Sequence, residues 1–163
     1  MKAYFSGGCF WCITPIFKIY GVDSVICGYS GGDEPNPSYS DVKSQKTGHR
    51  ETIELEYDTD TISYEKLVEI FLLNIDPYDA EGQFIDRGFS YSPAILYTDD
   101  NQKKTACKML DELYRKTGTK PAVSLERFKT FYRAEEEHQD YYLKNPEKYK
   151  AEIENSGRKR DRI

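Results

Sequence analysis

Gly7-Gly8-Cys9-Phe10-Trp11-Cys12 is the joint from which the rest of the chain is read. Ahead of it, Ala3-Tyr4-Phe5 is a short apolar run of strand type. Behind it, Ile13, Ile16, Phe17 and Tyr20 recur at helical spacing over Phe10 to Tyr20. Glycine tolerates the tight backbone that a strand-to-helix turn needs. Cys9 therefore falls on the first turn of a predicted helix. Free N–H groups and the positive end of the helix dipole favour a thiolate there, and the thiolate is the nucleophilic form. Phe10 and Trp11 set an apolar wall beside the sulfur. The expectation is an acidified, reactive cysteine next to a greasy platform.

Downstream, Val22 to Tyr29 reads as a strand, and Gly28-Tyr29-Ser30-Gly31-Gly32 breaks regularity. Pro35-Asn36-Pro37-Ser38-Tyr39 continues as loop, because each proline pushes its predecessor out of the helical region. Ser40 to Ser44 has room for one helical turn. After Gly48-His49-Arg50-Glu51, the alternation of Thr52, Ile53, Glu54, Leu55, Glu56 and Tyr57 predicts a half-buried strand. Ser63 is placed to cap a helix carrying Leu67, Val68, Ile70, Phe71, Leu72 and Ile75, stopped by Asp76-Pro77. Tyr78 to Ser92 is irregular, and loops of that length in a compact domain are usually functional or disordered.

Ala94 to Tyr97 reads as a short buried strand. Asp99-Asp100-Asn101 caps a helix running toward Lys116, with Ala106, Met109, Leu110 and Leu113 inward and Thr117-Gly118 at its end. Ala122 to Leu125 reads as the final strand, Phe128 to Tyr132 as extended or loop-like, and Ala134 to Leu143 as a short helix ended by Asn145-Pro146. The polar, basic stretch 155–163 is expected to be flexible. With no repeat and no boundary, these interleaved segments predict one α+β domain over 1–163, a mixed sheet with helices packed on it.

At 163 residues the chain is long enough for a real core, and a net charge of −5 argues against a nucleic-acid binder, which needs a basic face. No apolar run approaches the roughly 20 residues of a membrane helix. The start lacks the apolar region of a signal peptide. Four cysteines are too few for a disulfide scaffold at this length, so reduced thiols in a cytoplasmic protein are expected.

Cys9 and Cys12 form a C-x-x-C pair, a signal for thiol–disulfide chemistry, set against two buried small hydrophobes. Zinc would need a second close ligand pair. Cys27, His49, Cys107 and His138 stand singly, so no metal is expected. Glu51 is either a solvated edge carboxylate or a buried acid whose raised pKa lets it donate a proton. His138 sits among Glu135, Glu136 and Glu137 and reads as structural.

Six segments then occur in order: Gly8-Cys9-Phe10-Trp11, Gly28-Tyr29-Ser30-Gly31-Gly32, Asn36-Pro37-Ser38-Tyr39, Gly48-His49-Arg50-Glu51, Asp86-Arg87-Gly88 with Tyr91, and Glu136-x-His138-Gln139 with Asn145-Pro146. Together they resemble the A-type peptide methionine sulfoxide reductases, from Tyr4 to about Tyr149. The resemblance implies a mixed sheet in a two-layer, ferredoxin-like α/β sandwich, with a long, partly irregular C-terminal region. It implies reduction of the S epimer of methionine sulfoxide, free or in proteins, through a sulfenic acid on Cys9. Glu51 would be the proton donor, Tyr39 and Tyr91 the hydroxyls at the sulfoxide oxygen, Phe10 and Trp11 the methyl pocket, and Asp86 a substrate-orienting acid.

No metal or organic cofactor is implied, only an external thiol reductant: thioredoxin, or glutathione with glutaredoxin. Many members carry recycling cysteines in a glycine-rich tail, but no cysteine follows Cys107 here. Cys12, Cys27 and Cys107 are the internal candidates for recycling. Two other classes stay open on the residues alone. One is a thioredoxin-like dithiol exchanger using Cys9 and Cys12, and the other a non-catalytic domain gripping methionine-rich peptides. A cysteine hydrolase lacks a marked base.

Overall fold

A computed structural model describes residues 1–158. The sheet runs β7-β6-β1-β3-β2-β8, built from Lys2–Ser6 (β1), Ser24–Ser30 (β2), Arg50–Glu56 (β3), Ala94–Tyr97 (β6), Ser124–Arg127 (β7) and Phe131–Arg133 (β8). All neighbours are antiparallel except β6 and β7. Gly82–Gln83 (β4) and Asp86–Arg87 (β5) form a separate small hairpin. The helices are Phe10–Ile19 (α1), Tyr39–Lys43 (α2), Tyr64–Leu73 (α3), Asp100–Thr117 (α4), Tyr141–Lys144 (α5) and Pro146–Asn155 (α6).

The caps read from the sequence are in place. The Ser63 hydroxyl accepts from the Lys66 N–H, the Asp99 carboxylate accepts from the Gln102 N–H, and Gly118 closes α4 in the left-handed region. Gly8, at φ +85°, makes the turn between β1 and α1.

Period-two alternation sorts β3 between two layers. Ile53 and Leu55 join Ala3, Phe5, Val25, Cys27, Tyr29 and Ile95 on the face covered by α1 and α3, through Ile13, Phe17, Leu67 and Phe71. On the opposite face Tyr4 stacks on Phe128 at 4.0 Å, and Tyr4 packs with Ala94, Leu96 and Phe131. Glu54 is satisfied there by the Tyr4 hydroxyl at 2.7 Å and the Lys2 ammonium at 2.8 Å. So β3 is a central strand buried on both faces, not the half-buried strand that its alternation predicts. The polar face is sealed by the 128–131 segment.

Three C-terminal expectations change. Ala122 to Leu125 is not the last strand, because Phe131–Arg133 adds to the free edge of β2. The segment Ala134 to Leu143 is not one helix. It is a single turn at Glu136–His138, then a break at Asp140 (φ 50°), then α5. The break is held by the Gln139 side chain, which bonds the Cys27 N–H and the Cys27 and Ala134 carbonyls at 2.9–3.0 Å. The stretch from Asn155 is not frayed as far as Arg158. Ser156 is buried, and Arg158 donates to the Gly7 and Asn74 carbonyls, both at 3.1 Å. Residues 159–163 of the expected flexible tail lie outside the described residues.

The β2–β8 seam depends on a missing side chain. A Cβ on Gly28 would stand 2.3 Å from the Phe131 ring and 2.4 Å from the Tyr132 carbonyl oxygen. Gly28→Ala is expected to lose about 1–3 kcal/mol of stability, seen as a lower denaturant midpoint. A midpoint equal to wild type would mean that this seam does not constrain the fold.

Candidate active site

Strand register decides where Glu51 goes. It pairs across the sheet with Tyr29 and shares the helix-covered face with Ile53 and Leu55. That places it under the first turn of α1. Its Oε2 accepts the Phe10 N–H at 2.9 Å, and the residue is 1 % exposed. Burial pushes its carboxyl up to about 8, outweighing the Phe10 N–H that favours the charged form. At neutral pH Glu51 is therefore largely a neutral, proton-carrying acid.

Cys9 is the N-cap of α1, and its carbonyl accepts the Cys12 N–H at 3.0 Å. Its own N–H is taken by the Asp86 carboxylate. Two N–H groups at this helix end, those of Phe10 and Cys9, are thus turned to carboxyl groups and not to the sulfur. The Cys9 thiol is pushed up, not down. Its hydrogen bond to Cys12 comes first among the causes, then burial, then the charges of Cys12, Glu51 and Asp86. Cys12 is held low by the same hydrogen bond, helped by the Arg158 guanidinium. The hydrogen bond between them favours the anion on Cys12 over the anion on Cys9.

A cavity of about 360 Å³ opens above this pair, lined by Cys9, Trp11, Cys12, Tyr39, Asp86 and Tyr91. The Tyr39 and Tyr91 hydroxyls are pushed well above the usual phenol range by burial and by the Glu51 charge, so both stay donors. Tyr39 is fixed at the start of α2 by its N–H bond to Glu135, at 2.8 Å. Gly8 N–H reaches the Tyr91 carbonyl at 3.1 Å, tying the loop to the Cys9 turn. Trp11 lies flat on Tyr141 at 3.9 Å. The result is a pocket with one sulfur pair, an aromatic wall and two uncharged phenol donors, with the proton-carrying Glu51 buried beneath the turn.

The chain is similar over nearly its whole length to proteins of one activity. The family profile described as peptide methionine sulfoxide reductase matches residues 1–162. The chain belongs to the peptide methionine sulfoxide reductase family. Among its relatives, the Halalkalibacterium halodurans peptide methionine sulfoxide reductase MsrA is 45 % identical over 161 residues, covering 96 % of this chain and 91 % of that one. MsrA 2 of Staphylococcus aureus is 44 % identical over 160 residues, covering 96 % and 90 %. Of solved structures, reduced Mxr1 from Saccharomyces cerevisiae superposes with a TM-score of 0.85 at 29 % identity, covering 90 % and 86 %. Mxr1 has also been solved in complex with Trx2, where the fold likeness is 0.58 at 21 % identity, covering 86 % and 84 %. The family's reaction, thiol-dependent reduction of methionine sulfoxide, is the reaction of this chain.

For a methionine sulfoxide reductase the expected residues are mostly assembled here. Glu51 sits beneath the Cys9 turn and is not in the cavity lining. Phe10 is fully buried behind the pocket, against Tyr29, Tyr39 and His138, and does not line the cavity either. Cys27 is sealed in the core beside Thr14, with its thiol pushed up to about 12 by burial. Cys107 is exposed on α4, away from the cavity. Neither is placed to recycle Cys9, whereas Cys12 already touches it. His49 is committed to its loop through the Glu34 carbonyl and the Gly32 N–H. His138 is packed among Phe10, Trp11 and Tyr39, and burial lowers its pKa.

The sequence reading missed the contribution of α6. Glu152, Asn155 and Ser156 line the cavity mouth, with Lys43 and Ile85 across from them. Glu152 accepts from the Tyr141 hydroxyl at 3.3 Å and so steadies the ring under Trp11. The available signal was helical spacing: Tyr149, Glu152, Ile153 and Ser156 fall on one side of a helix.

Proposed function

We propose that the chain reduces the S epimer of methionine sulfoxide, free or in proteins, with Cys9 as nucleophile, Glu51 as proton donor and Cys12 as the internal recycling thiol. The observation that carries this reading is the neutral Glu51 hydrogen-bonded beneath the turn that holds Cys9. Trp11 receives the methyl group, Asp86 orients the substrate, and the Tyr39 and Tyr91 hydroxyls meet the oxygen. Fixed places for methyl and oxygen on opposite sides of the sulfur select one configuration.

Cys9 gives its proton to Cys12 as it attacks the sulfoxide sulfur. The oxygen gathers negative charge, is steadied by the tyrosine donors and takes the Glu51 proton. Collapse releases methionine and leaves Cys9 as sulfenic acid. The Cys12 sulfur then displaces that hydroxyl as water and forms a Cys9–Cys12 disulfide. The sum is sulfoxide plus two thiols giving thioether, disulfide and water.

External thiols restore the pair. Thioredoxin is one source, as the Mxr1–Trx2 complex suggests by analogy; glutathione with glutaredoxin is the other. No described helix is long and apolar enough to cross a membrane, in keeping with a cytoplasmic site of action. The order β6-β1-β3-β2 with crossovers through α1 and α3 supports the ferredoxin-like description of the core.

The test is one turnover without external thiol. Fully reduced protein is mixed with one equivalent of each epimer. The S epimer is expected to be consumed and the R epimer recovered, with a Cys9–Cys12 disulfide found by peptide mapping. Equal loss of both epimers would end the stereochemical reading. A persistent sulfenic acid with free Cys12 would end the recycling reading.

A further inference from the structure

Cys12 lines two cavities. Of these two, Cys9 borders the substrate cavity and not the other. The second cleft, about 380 Å³, opens beyond α1 between the Asn74–Tyr78 turn, Phe84 of the β4–β5 hairpin and Ile153 of α6. Arg158 lines it as well. Its Nη groups are pinned by the Asn74 and Gly7 carbonyls at 3.1 Å, and its plane lies 4.8 Å from the Phe84 ring centre. The Arg158 Nε is buried with no partner, and no carboxylate lies within ion-pair distance of the guanidinium, among the described residues. Asp76 also borders the cleft, with its Oδ1 turned to the Tyr78 N–H at 3.0 Å.

Thiolate attack on a disulfide runs along the S–S axis, from the side remote from the leaving sulfur. In a Cys9–Cys12 disulfide, Cys9 occupies the substrate side of Cys12. The open approach to the Cys12 sulfur is then the second cleft. We propose that this cleft admits the reductant, a small thiol carrying a carboxylate, to the Cys12 sulfur, with Arg158 receiving the carboxylate.

Two features favour a small molecule over the tip of a protein: Cys12 is only 5 % exposed, and the waiting group is a guanidinium whose Nε has no partner among the described residues. The incoming thiolate bonds to Cys12, and the Cys9 sulfur leaves and takes up a proton. A second thiolate attacks the mixed disulfide, giving the oxidised small-thiol dimer and a free Cys12, and the enzyme returns with two thiols. Sulfoxide and reductant thus use opposite sides of the same turn.

This rests on the Cys9–Cys12 disulfide proposed above, and the experiment separates the two. Protein oxidised by one equivalent of sulfoxide is first mapped for that disulfide. If the disulfide is absent, the recycling reading fails and the cleft proposal goes with it. If it is present, the protein is treated with substoichiometric 3-mercaptopropionate, quenched in acid and mapped again. An adduct on Cys12 is expected, and an adduct on Cys9 overturns the cleft while leaving the disulfide intact.

The second measurement uses Arg158→Gln, and compares reduction by 3-mercaptopropionate with reduction by uncharged 2-mercaptoethanol. Loss of the guanidinium acts on Cys12 with either thiol, so the reading is the ratio: the variant should slow the carboxylate thiol about tenfold more than the neutral thiol. Equal slowing of both, or of neither, would remove Arg158 from the proposal. Thioredoxin reducing the oxidised protein by joining to Cys9 would assign the reductant to the substrate side instead.

Discussion

Cys9→Ser is expected to bind methionine sulfoxide and fail to reduce it, with turnover lower by roughly 10³-fold or more. A hydroxyl fills nearly the same volume at the N-cap, where the Cys9 side chain makes no capping bond that must be kept, so the fold and the cavity survive. It does not ionise near neutral pH, and it cannot form the sulfenic acid or the disulfide. Binding is read by calorimetry and chemistry by rapid-quench single turnover. A single-turnover rate within about twofold of wild type would show that another atom attacks the sulfoxide. Cys9→Ala removes the hydrogen bond that favours the Cys12 thiolate, so in that variant the Cys12 titration should move upward, read by ultraviolet absorbance of the thiolate.

Glu51→Gln is expected to slow the chemical step by roughly 10²–10³-fold with little change in substrate affinity. The amide oxygen still accepts the Phe10 N–H, so the strand and helix keep their relation, but no proton is available for the departing oxygen. The wild-type rate should fall as pH rises through about 8, where Glu51 ionises, and this limb should be missing in the variant.

Stability gives an independent readout of the same group. Its folded pKa of about 8 lies above the ordinary 4.5. The native state therefore holds a proton that the unfolded chain releases between these values. The contribution is fully present below 4.5 and is lost as pH rises through about 8. Glutamine cannot ionise, so the variant should gain on wild type by a few kcal/mol as pH rises from about 4.5 to about 8, and no further above that. An E51Q variant that keeps the wild-type single-turnover rate would reject proton donation. Parallel stability profiles would reject the neutral buried acid.

Much of this architecture was legible from local signals. The β1–α1 joint, the Ser63 and Asp99 caps, the Gly118 stop and β6 depend on short-range chemistry, and each lies at or within a residue or two of its expected place. The β8 strand was not legible, because Phe131-Tyr132-Arg133 becomes a strand only by borrowing the edge of β2. The burial of β3 on both faces was also hidden. Alternation reports two unlike faces, but it cannot report that Phe128 and Phe131 come back from far along the chain to seal the polar one.

At the site, Cys9, Trp11, Tyr39, Glu51, Asp86 and Tyr91 were all named from sequence and meet around one turn. Phe10 was assigned to the pocket wall because it follows Cys9 in sequence and because the family resemblance implies it. On a helix, successive residues point about 100° apart, and Phe10 turns into the core while Trp11 faces the cavity.

What the chain determined by itself is the set of reactive groups and the elements that carry them. A thiol follows two glycines at a helix start, and an acid keeps the apolar parity of its strand. The tertiary structure decided their protonation. Cys9 was expected to ionise because an isolated helix end favours an anion, yet in the fold Glu51 and Asp86 reach that end first, and Cys12 sits against the sulfur. Charge preference depends on everything within a few ångströms in space, and those neighbours come from β3, the 86–91 loop and the far end of the chain. Periodicity along the sequence carries no record of them.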